Sequence, residues 1–495
     1  MRKEWFLEMG PWEVVEKELA KGTVGQAVEV CVQEIRQEMQ AAQGPRERVQ
    51  TWVDRLSRMF GQVDSQSLLE KKFFVSGLLR FSSGLLARIF IDFAAFGMTD
   101  SLDFEIIGTK SSLIYRSNKG LGCYSIETSK GKFLGRTMCS DGVASDLREF
   151  TPIKSGIIRL GVISLEHPHA TGNHFPALDN IQHVVKVAAI AHDNKKECEE
   201  WLHRYGATYY KSRDELLQDK SIDAVLVTSR NCDHARDSVA AAKARKDILC
   251  DKPIAISLEE NLALVRACRD NHVRFITTYP LRFHPAITEI QNRIKQGDFG
   301  DIEAIMATNH GCMYEPGAPE WVKDPLTNGG GCIIDHTVHV ADIIRFLTGK
   351  EFINVRTYAK SALSGIKAED IAVCHGELDG GAVYQIDCSW SRKPSDPPWG
   401  DVTMRIIGTK GCASLDLYNN YRIEAFTPSG IEYRYPNALS KQHGMIFLDY
   451  QKEKATGEKS TNADETDGLR TMELVFASYE SVKADTVASV RRSQI

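Results

Sequence analysis

The stretch DAVLVTSRNCDHARDSVAAAKARKDILCDKP, from Asp223 to Pro253, decides the fold class. An apolar run at Ala224–Thr228 is followed by a helical stretch at Cys232–Ala244 and a second apolar run at Ile248–Cys250. Parallel strands cannot be joined by a tight turn, so short apolar runs spaced by a helix read as a βαβ unit. The same alternation extends on both sides. Ile157–Ser164, Val184–Ala191 and Arg274–Thr278 are further candidate strands, and Lys195–Tyr205 is a further candidate helix. Residues 156–280 therefore read as an α/β domain with a parallel sheet.

The flanks have a different texture. Residues 281–495 carry longer β-rich runs at Ile302–His310, Asp370–Glu377, Ala382–Trp390 and Val402–Ile407, with helices at Asp335–Leu347 and Gly468–Ala484. That pattern predicts an α+β domain, a large and mostly antiparallel open sheet with helices on one face. The polar run Lys452–Asp467 reads as an exposed loop. Residues 1–150 mix helical periodicity, at Trp12–Ala20 and Arg46–Phe60, with β-type runs at Lys72–Phe81, Leu86–Phe96 and Asp103–Ile107.

An internal repeat connects the two flanks. The pentapeptide IIGTK at Ile106–Lys110 recurs at Ile406–Lys410. Pro11, Gly22 and Gly25 mirror Pro285, Gly297 and Gly300, and Asp54 to Gly61 mirrors Asp342 to Gly349. Repeats kept in order signal a duplicated structural unit. Residues 1–150 are thus expected to be a degenerate copy of the C-terminal sheet domain. The copy has Glu47, Arg48 and Thr51 where the other has Asp335, His336 and His339, so it lacks the same chemistry. The two sheets are expected to pack face to face within one chain, with homo-oligomerisation as the other possibility.

Composition narrows the function classes. The 495 residues carry a net charge of −5, which gives no general attraction to nucleic acid or anionic membrane. The first residues lack the apolar core of a secretory signal, and no run approaches the length of a membrane span. The 12 cysteines show no CxxC pair, which suits reduced thiols in a cytoplasmic protein.

Chemistry-bearing residues gather where strands end, the place where open α/β sheets bind ligands. The turn after the first strand runs Ser164-Leu165-Glu166-His167-Pro168-His169, without GxGxxG spacing. Asp193 ends the second strand; it suits a ribose diol and repels a 2′-phosphate, or it caps the next helix. His167 and His169 lack a third ligand at standard spacing, so no metal is expected. Lys252 ends another strand, where a partly buried amine can exchange protons near neutrality. After Gly329-Gly-Gly331, Asp335 and His339 stand one helical turn apart, so a carboxylate can fix an imidazole's tautomer.

Taken together and in order, these residues resemble the Gfo/Idh/MocA oxidoreductases. Thr228–His234 resembles that family's T-P-N-x-x-H segment, Asp251-Lys252-Pro253 its E-K-P, and Arg282-Phe283 its R-F. Gly329–His339 is similar to its G-G-G…D-x-x-x-H, and Ile407–Gly411 to its I-G-x-x-G. The resemblance implies a Rossmann-type dinucleotide-binding domain over residues 156–280, followed by a sheet domain that often dimerises. It implies hydride transfer between NAD, less so NADP, and a sugar, polyol or glycoside hydroxyl, including transient oxidation with internal recycling. Lys252, Asp335 and His339 become the catalytic residues. Ser164, Leu165, Asp193, Thr228, Asn231, His234, Asp251 and Lys252 would bind the cofactor, and Arg282, Tyr314, Trp321 and His336 the substrate. The alternative is a non-catalytic sugar- or dinucleotide-binding or structural protein on the same fold, favoured by the missing glycines. Glu166 must point away from any pyrophosphate.

Overall fold

The computed structural model describes eight N-terminal strands between residues 27 and 133, and then residues 156–312, 319–392, 400–417, 423–427, 430–434 and 438–495. The expected helices at Trp12–Ala20 and Arg46–Phe60, the residues Glu47, Arg48 and Thr51, and Tyr314 lie outside the described residues.

The N-terminal strands are β1 (Ala27–Ile35), β2 (Val63–Lys71), β3 (Phe74–Phe81), β4 (Leu86–Asp92), β5 (Ser101–Gly108), β6 (Ser112–Asn118), β7 (Cys123–Thr128) and β8 (Lys132–Phe133). They form one sheet in the order β2-β3-β4-β1-β5-β6-β7-β8. β1 runs parallel to β4, and the other pairs are antiparallel.

The middle of the chain is doubly wound. Strands β9 (Ile158–Ile163), β10 (Val185–Ala191), β11 (Thr208–Tyr210), β12 (Ala224–Val227), β13 (Asp247–Cys250) and β14 (Phe275–Thr277) alternate with α1 (Lys195–Tyr205), α2 (Arg213–Gln218), α3 (Asn231–Lys243) and α4 (Leu258–Asn271). The sheet order is β11-β10-β9-β12-β13-β14, all parallel. This is the 3-2-1-4-5-6 order of dinucleotide folds, with its ligand crevice where β9 and β12 diverge. Helices cover both faces, so β12 is an unbroken apolar run, and all four of its residues are fully buried. The short β11 has exposed or half-exposed residues and no apolar run to mark it.

The third unit is built around a mixed sheet. Its strands are β15 (Ile302–Cys312), β16 (Asn354–Lys360), β17 (Ile371–Glu377), β18 (Val383–Arg392), β19 (Gly400–Gly408) and β20 (Cys412–Asp416), with a separate hairpin of β21 (Ile423–Thr427) and β22 (Gly430–Arg434), and an edge strand β23 (Ala488–Ser489). The order is β20-β19-β15-β18-β17-β16-β23, with β15 and β18 parallel and the rest antiparallel. Helices α5 (Pro285–Gln296), α6 (Cys332–Thr348), α7 (Ala438–Thr456) and α8 (Glu465–Ala484) complete it. α6 and α8 pack on one side of the sheet, as Thr337 Oγ1 to Cys388 Sγ (3.2 Å) and the Thr357 amide to Ser481 Oγ (2.9 Å) show.

The Lys452–Asp467 segment is not the simple loop expected. Its start continues α7, Ala463 pairs antiparallel with Thr277 at the edge of the Rossmann sheet, and Asp464 caps α8 through the amides of Thr466 and Asp467. α7 crosses back to the Rossmann side, where Ile446, Phe447 and Tyr450 share a core with Leu160, Val187 and Leu226. Full burial of Phe447 alone contributes about 2–3 kcal/mol. Among the described residues no helix is long and apolar enough to cross a membrane.

Candidate active site

The turn after β9 has no glycine at its head, yet it keeps a glycine's conformation. Ser164 sits at φ 69°, in the left-handed region. Its amide donates to Ala191 O (2.8 Å), and its carbonyl accepts Thr228 Oγ1–H (2.8 Å). The His167 amide donates to Thr228 O (3.0 Å). The loop is thereby stitched across the ends of β10 and β12. Leu165 is half-buried against the Rossmann core. Glu166 turns back on its own loop: its carboxylate accepts Ser164 Oγ–H (3.1 Å) and lies 3.7 Å from the Arg230 guanidinium. The charge next to the crevice is thus partly neutralised.

Asp193 stands exposed at the end of β10. The helix cap is its neighbour Asn194, whose side chain accepts the Lys196 amide at 3.2 Å. Capping therefore does not occupy Asp193, and its carboxylate is available to a diol. With the turn retained and this acid free, the crevice fits a dinucleotide.

Three histidines converge on Asp251, which is 2 % exposed. His169 Nδ1 and His174 Nε2 each lie 3.1 Å from Asp251 Oδ2, and His167 Nδ1 lies 3.8 Å from it. Burial alone would raise this carboxyl, but His169 and His167 together hold it well below the usual range. His167 is pushed well below the usual imidazole value by burial first and His169 second. Asp251 therefore anchors the loop from beneath, its carboxylate engaged by His169, His174 and the Lys252 amide. It also supplies the third donor that the sequence did not reveal: His167, His169 and Asp251 bring ligand-type atoms within 4.8 Å of one another. Against a cation there, His167 Nδ1 already accepts the His169 amide at 3.2 Å.

Lys252 follows directly, before a cis peptide to Pro253. It is 4 % exposed, and its ammonium donates to Asp335 Oδ1 and to the Asp335 carbonyl (3.2 Å). Asp335 lies in the first turn of α6. That helix starts where it does because Glu369 caps it, accepting the amides of Gly331 (2.9 Å) and Ile333 (3.1 Å). Gly331 is obligatory there, since a Cβ would lie 1.9 Å from Glu369 O. The other Asp335 oxygen accepts Trp390 Nε1–H (3.0 Å) and faces His336 Nε2 (3.2 Å). Burial would raise the Asp335 carboxyl, but Lys252 and then His336 hold it well below its ordinary value.

His339 is one turn further along α6. Its Nδ1 is buried with no hydrogen-bond partner, and its ring meets Tyr279 at 5.9 Å. Burial, then the Lys252 charge, then His336 push it well below the usual imidazole value. The Asp335 carboxylate is committed to Lys252, Trp390 and His336, so the expected Asp335–His339 hydrogen bond is replaced by a Lys252–Asp335 pair. Burial first, and the Lys252 ammonium second, disfavour a proton on this imidazole.

Other expected site residues are held by bonds within the protein. His234 is fully buried, with Nδ1 2.7 Å from Pro253 O and Nε2 2.9 Å from Ser229 O, so it steadies the Lys252 turn. Asn231 Nδ2 donates to Asn328 Oδ1 at 2.8 Å. Thr228 holds the loop, as described. Arg282 is not in the crevice: Asp342 grips it with two bonds of 2.8 and 2.6 Å, and Asp467 lies 2.9 Å away. His336 is buried behind Asp335, its Nδ1 2.9 Å from Asn309 O. Trp321 does line the crevice, half-exposed, with its ring 5.6 Å from His167 and its Nε1–H directed at Glu166 O (3.4 Å). Sequence reasoning missed Trp390, whose one signal is a β18 phase shared with buried Ile386 and Cys388. It also missed His174, which carries no motif.

Two family descriptions match this architecture: an oxidoreductase family with an NAD-binding Rossmann fold over residues 153–279, and a GFO/IDH/MocA C-terminal domain over residues 287–414. The chain belongs to the Gfo/Idh/MocA oxidoreductases. Known proteins are similar to it over much of its length. An uncharacterized oxidoreductase, YrbE, of Bacillus subtilis is 25% identical over 339 residues, 65% of this chain and 94% of that protein. The scyllo-inositol 2-dehydrogenase (NAD(+)) of the same organism is 26% identical over 245 residues, 48% of this chain and 68% of that protein. The fold matches the WlbA dehydrogenase of Bordetella pertussis, solved with NADH and UDP-GlcNAcA, with TM-score 0.60 and 18% identity over 69% of this chain and 100% of that one.

Proposed function

We propose that this oxidoreductase acts on a secondary hydroxyl of a sugar or polyol, with Lys252 and His339 as the proton-handling pair. One observation carries the reading: a buried ammonium is fixed by the Asp335 carboxylate, and one helical turn along from Asp335 stands an imidazole whose Nδ1 is buried without a hydrogen-bond partner. A bound nicotinamide would supply the hydride acceptor in oxidation and the donor in reduction. Lys252 donates a hydrogen bond to the substrate oxygen and stabilises the negative charge that builds there. His339 takes the hydroxyl proton as the C–H hydrogen leaves with its electron pair, so the carbon becomes a carbonyl. Asp335 holds the Lys252 ammonium in place, and Trp390 and His336 hold Asp335. Asp193 favours NAD over NADP, because a 2′-phosphate would meet its carboxylate.

The sugar or polyol class is supported by relatives whose names include scyllo-inositol 2-dehydrogenase and, in a solved complex, UDP-GlcNAcA. Calorimetric titration with NAD, followed by a screen of inositols, sugars and glycosides for NADH absorbance, tests the proposal. NAD binding with at least one polyhydroxylated substrate turned over is expected. A chain that binds no NAD at millimolar concentration refutes it.

A further inference from the structure

We infer that the N-terminal sheet is a second copy of the C-terminal sheet, and that it covers the helix-free face of that sheet within the same chain. The first observation is topological. Replacing β1 to β6 by β15 to β20 in order turns β2-β3-β4-β1-β5-β6 into β16-β17-β18-β15-β19-β20, read from the opposite edge of the sheet. The lone parallel pair, β1 with β4, becomes β15 with β18. Six strands have many possible orders, and a parallel neighbour inside an otherwise antiparallel sheet needs a crossover, so this agreement is demanding.

The register agrees to the residue. Between β1 and β5, Ala27 pairs with Gly108 and the next rung is Glu29 with Ile107; between β15 and β19, Ile302 pairs with Gly408 and the next is Ala304 with Ile407. Both ladders therefore carry an irregularity of one residue at the same rung. Glu29 pairs with Leu86 as Ala304 pairs with Val383, and Ile107 with Ser112 as Ile407 with Cys412. The repeated IIGTK falls on these rungs in both sheets.

The second observation is burial. Side chains alternate across a strand. Asn309, Cys374 and Cys388 face α6 and α8, as their contacts with His336, Ser478 and Thr337 show. Their alternates point the other way: His310 is 2 % exposed, Gln385 1 %, Asp387 0 %, His375 1 % and Arg405 4 %. Long polar side chains on a bare sheet face would be wet, and buried ones need partners. Gln385, Asp387, His375 and Arg405 all have further partners. His310 lies between Asp387 (3.0 Å) and Asp401 (3.1 Å), a charged cluster that cannot stay dry uncovered. The burial is reached with a single chain, and α6 and α8 sit on the opposite side. A sheet of the same order and register has the same twist, and two such sheets stack in the aligned fashion of sandwiches.

The test uses the full chain. A benzophenone amino acid is placed at Thr308, or separately at Thr403, neighbours on this face with hydroxyls 2.7 Å apart. Light- and heavy-isotope chains are mixed, irradiated and digested for mass spectrometry. Cross-links should join either position to peptides within residues 27–133 of the same isotope, at monomer mass. Mixed-isotope products, links only to residues 156–495, or no link to the N-terminal strands from both positions overturn the inference. The unsubstituted chain gives an independent reading with an amine cross-linker. Lys360, on the same face of β16, should link within its own chain to Lys71 or Lys132, and links that join it only to residues 156–495 or to another chain count against the inference.

Discussion

Replacing Lys252 by Met should destabilise the folded chain by about 3 kcal/mol at pH 7. The Lys252 side chain is 5% exposed and that of Asp335 21%, so their ion pair is largely out of water. Breaking a buried pair from one side costs about 3–5 kcal/mol, because the remaining charge is left without a counterion. The lower end applies here, since Asp335 keeps Trp390 Nε1 at 3.0 Å and His336 at 3.2 Å. The pH dependence distinguishes this from simple loss of packing. In the parent chain the Asp335 carboxyl is held well below its ordinary value, so its contribution is complete above the unfolded value and lost only as pH falls through the lower, folded value. Without the ammonium, burial dominates and raises the carboxyl. The folded variant then binds a proton before the unfolded chain does, and its deficit against the parent shrinks between pH 7 and 4.8. The double variant Lys252→Met/Asp335→Leu, with no charge left to bury, should recover most of the loss. Urea unfolding followed by circular dichroism at both pH values measures all three. A Lys252→Met variant within about 1 kcal/mol of the parent, or a double variant less stable than the single, refutes the reasoning.

Four more outcomes are expected. His339→Gln should lower kcat roughly 100-fold or more while leaving NAD affinity intact by calorimetry. In the parent, the acid limb of kcat/KM should inflect well below pH 6.5, because burial, Lys252 and His336 depress the imidazole. Ser164→Val should cost about 1–2 kcal/mol in thermal unfolding, since a β-branched residue resists φ 69°, whereas Ser164→Gly relieves that strain and stays near the parent. Asp193→Ser should reduce the preference for NAD over NADP about fivefold to tenfold, from roughly 1 kcal/mol of repulsion between charges about 4 Å apart in water; the ratio of dissociation constants reads it.

The Rossmann unit was legible because its strands are buried on both faces. β12 is apolar at every position, α1 falls on the expected residues, and β11 escaped only because an exposed edge strand needs no apolar run. The sheet unit was legible through β-rich runs and IIGTK, and α7 was missed because its polar end resembles a loop. Within the site, residue identities were clearer than roles. Lys252, Asp335 and His339 were singled out by strand end and helical spacing, yet the Asp335 partner could not be read locally, since Lys252 lies on another domain. Arg282 and His234 show the converse. Each stands in a family motif, but Asp342 claims the first and two backbone carbonyls the second, and only the fold brings those groups near.

The division of the site between two domains gives α7 and α8 the role of a clasp. Lys252 is set by the end of β13, and Asp335 and His339 by α6, so the ammonium can depress the imidazole only while both units hold their spacing. α7 buries Phe447 and Tyr450 in the Rossmann core, and α8 packs on α6 and β16 of the sheet unit. Between them Ala463 pairs with Thr277, and Arg282 ties the segment after β14 to Asp342 on α6 and Asp467 on α8. Arg282 therefore acts at the hinge of the clasp. Arg282→Met should cost about 3 kcal/mol by leaving the fully buried Asp342 without its cation, and should raise the Asp342 carboxyl further, as burial already does. Because Asp342 is three residues from His339, the same change should lower kcat more than it alters the NAD dissociation constant. An Arg282→Met variant that loses NAD binding while keeping its stability would return Arg282 to the crevice and remove the clasp from the mechanism.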